Sequence, residues 1–223
     1  MPGASIEFTH DGVRVSGYLA RPSGTPRGGM IVIQEWWGLN DDIKEIADRY
    51  ASQGYLALAP DMYHGVVTEE PDEARKMAMA LERDRAAQEI DAAIAWLKAT
   101  QGVSKVGCVG FCMGGGLTLA TALRSGSPVN ACHVYYGGGM PDNAALANVQ
   151  VPVMGSYGAL DQGIPKERVD ALRDALTAAG VENDIMLYEG AGHSFFNRAH
   201  LEPNAAAHSW QRSLAFFGRH VAS

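Results

Sequence analysis

The sequence predicts a single α/β domain over residues 1–223, with a mostly parallel central sheet and helices on both faces. Short apolar runs that are typical of buried strands alternate with segments whose apolar residues recur at the helical period of 3.6. These runs are apolar throughout, which indicates parallel strands covered on both sides. A chain of 223 residues with 47% hydrophobic content can bury one full core.

The first half of the chain is predicted to begin with a hairpin at the edge of the sheet. Strands over residues 6–8 and 13–19 flank Asp11 and Gly12, a pair that suits a tight turn. The elements that follow are a strand over 30–33, a helix with an apolar face from Ile43 to Ala51, a strand over 55–59, and a segment over 73–81 that leads into a helix with an apolar face from Ala86 to Leu97.

The second half continues the same alternation. It predicts strands over 106–110, 131–136, 151–157 and 184–188, a helix directly after the first of these, and helices over 166–179 and 203–220. In parallel sheets of this kind, functional groups collect at the carboxyl ends of the strands. We therefore expect the site among residues that directly follow these strands.

The composition argues against nucleic-acid-binding, membrane-spanning and metal-binding proteins. The formal net charge of −7 leaves no basic face for nucleic acid, and no run of apolar residues is long enough for a membrane span. The amino terminus does not resemble a signal peptide, and the three cysteines lack the paired spacing of a metal site. We expect a cytoplasmic protein without a metal.

A candidate nucleophile lies in the segment Gly-Phe-Cys-Met-Gly at residues 110–114. It separates a predicted strand from a predicted helix and has the Gly-x-nucleophile-x-Gly pattern of a nucleophile elbow, with Cys112 at its centre. The helix start favours a thiolate, and the Met113 amide can face an oxyanion. The alternative is a buried structural cysteine, which is how we interpret Cys108.

Two further residues complete a possible catalytic triad. Asp161 follows the strand over 151–157, and His193 follows the strand over 184–188. Alone, the aspartate would more often be a turn residue and the histidine a surface or structural one. The chain order Cys112, Asp161, His193 is nevertheless the nucleophile, acid, base order of a known hydrolase architecture, so we interpret the three as a triad.

The segment Gln-Glu-Trp-Trp-Gly at residues 34–38 follows the strand over 30–33. The Trp36 amide is the expected second oxyanion donor beside Met113. Glu35 next to a thiol would oppose thiolate formation, which suggests a gated nucleophile; the alternative is a solvent-facing glutamate. Trp36 or Trp37 could line the pocket, or both could belong to the core.

Four segments resemble the signature blocks of the dienelactone hydrolase (carboxymethylenebutenolidase) family. They are residues 34–38, residues 110–115, Tyr-Gly-x-x-Asp at 157–161, and Gly-Ala-Gly-His-Ser-Phe at 190–195. The resemblance implies a monomeric α/β-hydrolase fold, a Cys-His-Asp triad and no cofactor. It also implies that Glu35 pairs with the resting thiol until an anionic enol-lactone releases it as thiolate. The thiolate would then form an acyl-enzyme that water cleaves to maleylacetate.

The substrate-binding residues depart from the family pattern. The family holds the substrate carboxylate with two arginines, one of them four residues after the catalytic histidine, where this chain has Asn197 followed by Arg198. Arg75, Arg83 and Arg85 all lie in the region of the other arginine, although each would more often be a solvated helix charge. We take Arg75, Arg85, Arg198 and Trp37 as the candidates for binding substrate.

Three functions remain open from the sequence. The first is cysteine-dependent hydrolysis of a carboxylate-bearing lactone, and the second is hydrolysis of other small esters or thioesters by the same triad. The third is a non-catalytic protein that uses Cys112 as a redox-sensing thiol. A sensor would need neither Asp161 nor His193, which favours the two enzymatic hypotheses.

Overall fold

The computed structural model describes residues 2–124, 126–139, 146 and 149–222. Its strands are β1 (Ala4–His10), β2 (Val13–Ala20), β3 (Gly29–Ile33), β4 (Leu56–Pro60), β5 (Val106–Phe111), β6 (Ala131–Tyr135), β7 (Val153–Gly158) and β8 (Asn183–Tyr188). Its longer helices are α1 (Asp41–Ser52), α2 (Pro71–Ala80), α3 (Arg83–Gln101), α4 (Met113–Leu123), α5 (Lys166–Ala178) and α6 (Pro203–His220).

The strands form one sheet in the order β1-β2-β4-β3-β5-β6-β7-β8. All neighbours from β4 to β8 pair in parallel, whereas β2 pairs antiparallel with both β1 and β4. The predicted hairpin lies at the edge of the sheet, and its turn residues Asp11 and Gly12 have φ of 48° and 81°. Positive φ at both positions is the geometry of a type I′ hairpin turn, for which Asp-Gly is suited.

Helices cover both faces of the sheet and bury a separate core on each. Side chains of α3, α4 and α5, such as Ile94, Leu119 and Leu172, pack on one face. Side chains of α1 and α6, such as Ile46 and Phe217, pack on the other. Each fully buried side chain of this size contributes about 1.5–3 kcal/mol. These two layers confirm the predicted α/β architecture.

A buried polar network fixes α6 to the sheet. His133 on β6 contacts the hydroxyls of Ser213 on α6 and Ser156 on β7, each over 3.0 Å. Ser213 in turn contacts the Tyr50 hydroxyl of α1 over 2.7 Å. Complete burial lowers the pKa of His133 well below its ordinary value, so the ring is neutral and serves one hydroxyl as donor and the other as acceptor.

Some element boundaries differ from those predicted. β7 begins at Val153 and not at residue 151, because Pro152 has no N–H to extend the ladder. β6 ends at Tyr135, since Tyr136 has φ of 35° and leaves the extended region. α2 begins at Pro71, where a proline suits the first turn of a helix. Among the residues that the structure describes, no helix is both long and apolar enough to span a membrane.

Candidate active site

Cys112 lies on a strained turn between β5 and α4. Its φ of 52° and ψ of −114° are unfavourable for a residue with a side chain. The turn depends on two glycines, because a Cβ at Gly110 would lie 2.1 Å from the Gly114 carbonyl oxygen, and one at Gly114 would lie 2.4 Å from the carbonyl oxygen of Gln34. The sulfur is therefore presented at the start of α4, as the elbow pattern predicts.

The structure brings Asp161 and His193 to this cysteine. Nδ1 of His193 donates to Oδ2 of Asp161 over 2.6 Å, and Nε2 lies 3.2 Å from the Cys112 sulfur. Oδ1 of Asp161 accepts the backbone N–H groups of Gly163 and Ile164 over 2.8 and 3.2 Å. The three side chains form one hydrogen-bonded chain, in which the aspartate is fixed by the loop that follows β7.

The electrostatics of this chain favour a charged histidine. Burial disfavours the imidazolium, but the hydrogen bonds and charges of Asp161 and Cys112 outweigh it and raise the pKa of His193 to about 10. Burial also acts to raise the pKa of Asp161, yet the contact with His193 and the two backbone N–H groups lower it overall. The arrangement can hold a thiolate beside an imidazolium, which is the reactive form of a cysteine nucleophile.

Two backbone amides are available to an oxyanion near the sulfur. Met113 is the first residue of α4, and Trp36 follows the carboxyl end of β3. The close packing of Gly114 on the carbonyls of Ile33 and Gln34 sets the start of α4 directly against that strand end. Neither amide donates a hydrogen bond to any residue within the described ranges, so both can serve a developing negative charge.

Glu35 is buried in the loop after β3, with only 3% of its surface exposed. Its Oε2 accepts from Nδ2 of Asn197 over 2.7 Å. Burial raises the pKa of Glu35, and this is opposed by Asn197, by the hydroxyls of Tyr136 and Ser194, and by the charge of His193. In the described part of the chain the sulfur of Cys112 is hydrogen-bonded to His193 and not to Glu35. Gating of the thiol by Glu35 stays a prediction.

A cavity of about 490 Å³ opens over the sulfur. Its described walls are Trp36, Arg75, Ala78, Met79, Leu81, Arg83, Cys112, Met113, Gly116, Leu117, Gly138, Gly139, Gly163, Ile164 and His193. The walls are mostly apolar, and their charged or polar side chains are Arg75, Arg83 and, beside the sulfur, His193. Trp37 is not among these lining residues; its ring packs edge-on against Trp36, and its carbonyl accepts the Thr68 amide over 3.0 Å.

The arginines divide into two groups. Arg75 and Arg83 line the cavity; Arg75 pairs with Asp72 over 2.8 Å, whereas Arg83 has no ion pair among the described residues. Arg85 lies outside the cavity and contacts the buried Glu89 over 2.9 Å. Arg198 also lies outside and pairs with two acidic residues of α1, Asp42 over 3.1 Å and Glu45.

Arg83 is thus a cavity residue that the choice of Arg75 and Arg85 missed. Both Arg83 and Arg85 belong to the first turn of α3. Residues two positions apart on a helix point about 200° away from each other, so only one of the two can face the cavity. The sequence predicts this helix from its apolar face, but it does not predict which of the two arginines faces the cavity. No group of three or more His, Cys, Asp or Glu side chains that could hold a metal occurs in the described ranges.

Comparison with known proteins places the chain in a family. A sequence model described as the dienelactone hydrolase family matches residues 15–221. The chain belongs to this family. A candidate carboxymethylenebutenolidase of Aquifex aeolicus is 30% identical over an alignment of 227 positions that covers 96% of this chain and 97% of that protein.

Solved structures agree with this assignment. A candidate dienelactone hydrolase from Klebsiella pneumoniae superposes with a TM-score of 0.89 at 27% identity and covers 98% of each chain. A dienelactone hydrolase-like promiscuous phosphotriesterase from metagenomic libraries gives a TM-score of 0.86 at 28% identity, covering 99% of this chain and 98% of its own. The chain is therefore a dienelactone hydrolase-like hydrolase with the α/β-hydrolase fold.

Proposed function

We propose that this family member hydrolyses a lactone or small ester that carries a carboxylate, through a thioester on Cys112. The observation that carries the proposal is the hydrogen-bonded chain from Asp161 through His193 to the sulfur, which opens directly into the cavity. A nucleophile, a base and an orienting acid at these distances are what acyl transfer requires.

The proposed reaction has two stages. The thiolate attacks the substrate carbonyl, and the amides of Trp36 and Met113 bind the resulting oxyanion. The tetrahedral intermediate breaks its C–O bond, and His193 gives its proton to the leaving oxygen, which stays on the same molecule if the substrate is a lactone. His193 then takes a proton from water, and the hydroxide cleaves the thioester to release the acid and restore the thiolate.

The charge at the cavity rim supports a carboxylate on the substrate. Arg83 lines the cavity without an ion pair to any described residue, and Arg75 lines the same cavity with a single exposed partner on its own helix. A guanidinium can bind a carboxylate through two parallel hydrogen bonds. The two ion pairs of Arg198 with α1 argue against its participation.

A second candidate is hydrolysis of neutral small esters or thioesters by the same triad. Most of the described cavity wall is apolar, with Ala78, Met79, Leu81, Leu117 and Ile164 among its residues. Such a wall accepts an uncharged acyl group without leaving a buried charge unpaired. The promiscuous phosphotriesterase among the solved structures has a similar overall fold.

A paired-substrate assay tests the proposal. We would measure kcat/KM for cis- and trans-dienelactone and for an uncharged p-nitrophenyl ester, using the wild type, Cys112→Ala and Arg83→Gln. We expect Cys112→Ala to abolish turnover of all substrates, and Arg83→Gln to raise KM for the lactones alone. A single ion pair to a charged ligand suggests a loss of about 10-fold or more. Turnover that survives in Cys112→Ala would overturn the thioester mechanism, and equal losses on both substrate classes would overturn the role of Arg83.

A further inference from the structure

One side-chain hydrogen bond joins the loop after β3 to the loop that carries His193. Asn197 donates from Nδ2 to Oε2 of Glu35 over 2.7 Å. Glu35 directly precedes Trp36, the proposed oxyanion donor, and Asn197 lies four residues after His193, the proposed base. The contact therefore connects two parts of the site that come from opposite ends of the chain.

Asn197 is held in one orientation. Its backbone N–H donates to the Ser194 carbonyl over 2.8 Å and closes a turn, while its side-chain Oδ1 accepts the Ala199 amide over 2.8 Å. Because Oδ1 is occupied as an acceptor, the NH₂ group must face Glu35. Ser194, next to His193, has φ of 59°, a conformation that non-glycine residues adopt only when the surroundings enforce it.

The carboxyl of Glu35 is buried and depends on protein groups for its hydrogen bonds. Its oxygen Oε1 has no hydrogen-bond partner among the described residues. Asn197 donates the 2.7 Å hydrogen bond to Oε2, and the hydroxyls of Tyr136 and Ser194 also interact with this carboxyl. Loss of a hydrogen-bond donor to a buried carboxyl is costly, so the contact with Asn197 helps to hold the two loops together.

We propose that Glu35 and Asn197 form a positioning pair that sets the His193 loop relative to the oxyanion loop, and that neither side chain touches the substrate. The inference rests on the proposed function, because it requires His193 to act as the base for Cys112. It differs from gating, in which Glu35 would act on the thiol itself. A misplacement of about 1 Å can cost about 100-fold in rate, so the pair affects kcat more than KM.

Four variants test the pair. Asn197→Leu removes the donor, and Asn197→Asp replaces it with a carboxylate, so that two acceptor groups face each other. Glu35→Gln keeps an acceptor oxygen for Asn197, and the double variant Glu35→Gln/Asn197→Asp restores the hydrogen bond with donor and acceptor exchanged. We expect both single changes at Asn197 to lower kcat by about 10- to 100-fold in the wild-type background. In the Glu35→Gln background, Asn197→Asp should lower kcat by no more than about 3-fold, because the hydrogen bond forms again with donor and acceptor exchanged.

The controls separate positioning from general destabilisation. Asn204→Leu is the matched control, since Asn204 also donates to a glutamate, Glu202, but at the exposed start of α6. It should leave kcat unchanged. The melting temperature and the rate of Cys112 alkylation by iodoacetamide are measured on each variant, and the alkylation rate should fall with kcat where His193 is displaced. If Asn197→Leu does not fold, the comparison of kcat between Asn197→Asp and the double variant tests the positioning pair.

Two results would overturn the positioning pair. The first is full activity in Asn197→Leu, and the second is a loss of kcat on Asn197→Asp that is as large in the Glu35→Gln background as in the wild type. Cys112→Ala is assayed in parallel. Activity that survives in Cys112→Ala refutes the proposed function, whereas activity that is lost there and kept in Asn197→Leu refutes the pair alone.

Discussion

Replacement of Gly114 by alanine should damage both stability and activity, because the start of α4 has no room for a methyl group. The added Cβ would lie 2.4 Å from the Gln34 carbonyl oxygen and 2.5 Å from that of Ile33, and ordinary contact begins at 3.4 Å. Both neighbours are backbone atoms at the end of a central strand, which cannot rotate away. The helix start must therefore move by about 1 Å, a distance that matters for aligned reacting groups.

The expected magnitudes follow from this displacement. Overpacking of this kind costs about 1–3 kcal/mol of stability, and the gain of about 1 kcal/mol for alanine over glycine in a helix offsets only part of it. Since Cys112 and the Met113 amide move with the helix start, kcat should fall by about 100-fold. Urea unfolding gives the first quantity, and steady-state hydrolysis of a p-nitrophenyl ester gives the second.

Gly218→Ala is the matched control for Gly114→Ala. Gly218 lies within α6, and a Cβ there would meet only the Arg27 guanidinium, at 3.7 Å. This variant should gain up to about 1 kcal/mol from helix propensity and keep its activity. If Gly114→Ala unfolds at the same urea concentration as the wild type and keeps kcat within about 3-fold, the steric argument for the elbow is wrong.

Three further variants give four expected outcomes. Asp161→Asn should lower kcat by about 10³- to 10⁴-fold, because the amide no longer holds His193 in the required tautomer. The raised pKa of His193, about 10 against 6.5, stabilises the fold fully below pH 6.5, and this contribution is lost as the pH rises towards 10. Urea unfolding between pH 6 and 10 should therefore show a flatter profile for Asp161→Asn than for the wild type. His133→Leu should cost about 2–4 kcal/mol in urea unfolding, because two buried serine hydroxyls lose their shared partner. Arg198→Ala should leave kcat/KM for an anionic lactone within about 2-fold, since this side chain is paired with α1; a 10-fold loss would place it in the substrate site after all.

Local patterns were sufficient to predict the fold and the candidate triad. The strands could be predicted because they are apolar runs. The nucleophile elbow could be predicted because Cys112 and the two glycines that its turn requires, Gly110 and Gly114, lie within five consecutive residues. Asp161 and His193 could be chosen because residues that follow parallel strands meet at one edge of the sheet. The two residues could therefore be expected to lie close together although they are far apart in sequence.

The remaining features depend on which way a side chain points. Arg83 and Arg85 differ only in helical face, and Trp36 and Trp37 differ only in which side of one turn they occupy. The contact between Glu35 and Asn197 joins two loops whose sequences carry no shared signal of pairing. A single sequence specifies which elements form, whereas these choices follow from how the elements pack against one another.

Backbone strain is concentrated where the chemistry is proposed to occur. Of the five non-glycine residues with positive φ in the described ranges, Cys112, Tyr136 and Ser194 surround His193. Conformations of this kind cost about 1–3 kcal/mol each, and the surrounding packing must supply that energy. Directed evolution for heat resistance alone would be expected to select first for substitutions that relieve the backbone strain at these three positions. The selected variants would be more stable but less active as hydrolases. Selection for thermostability in this chain should therefore be coupled at every round to a screen for turnover.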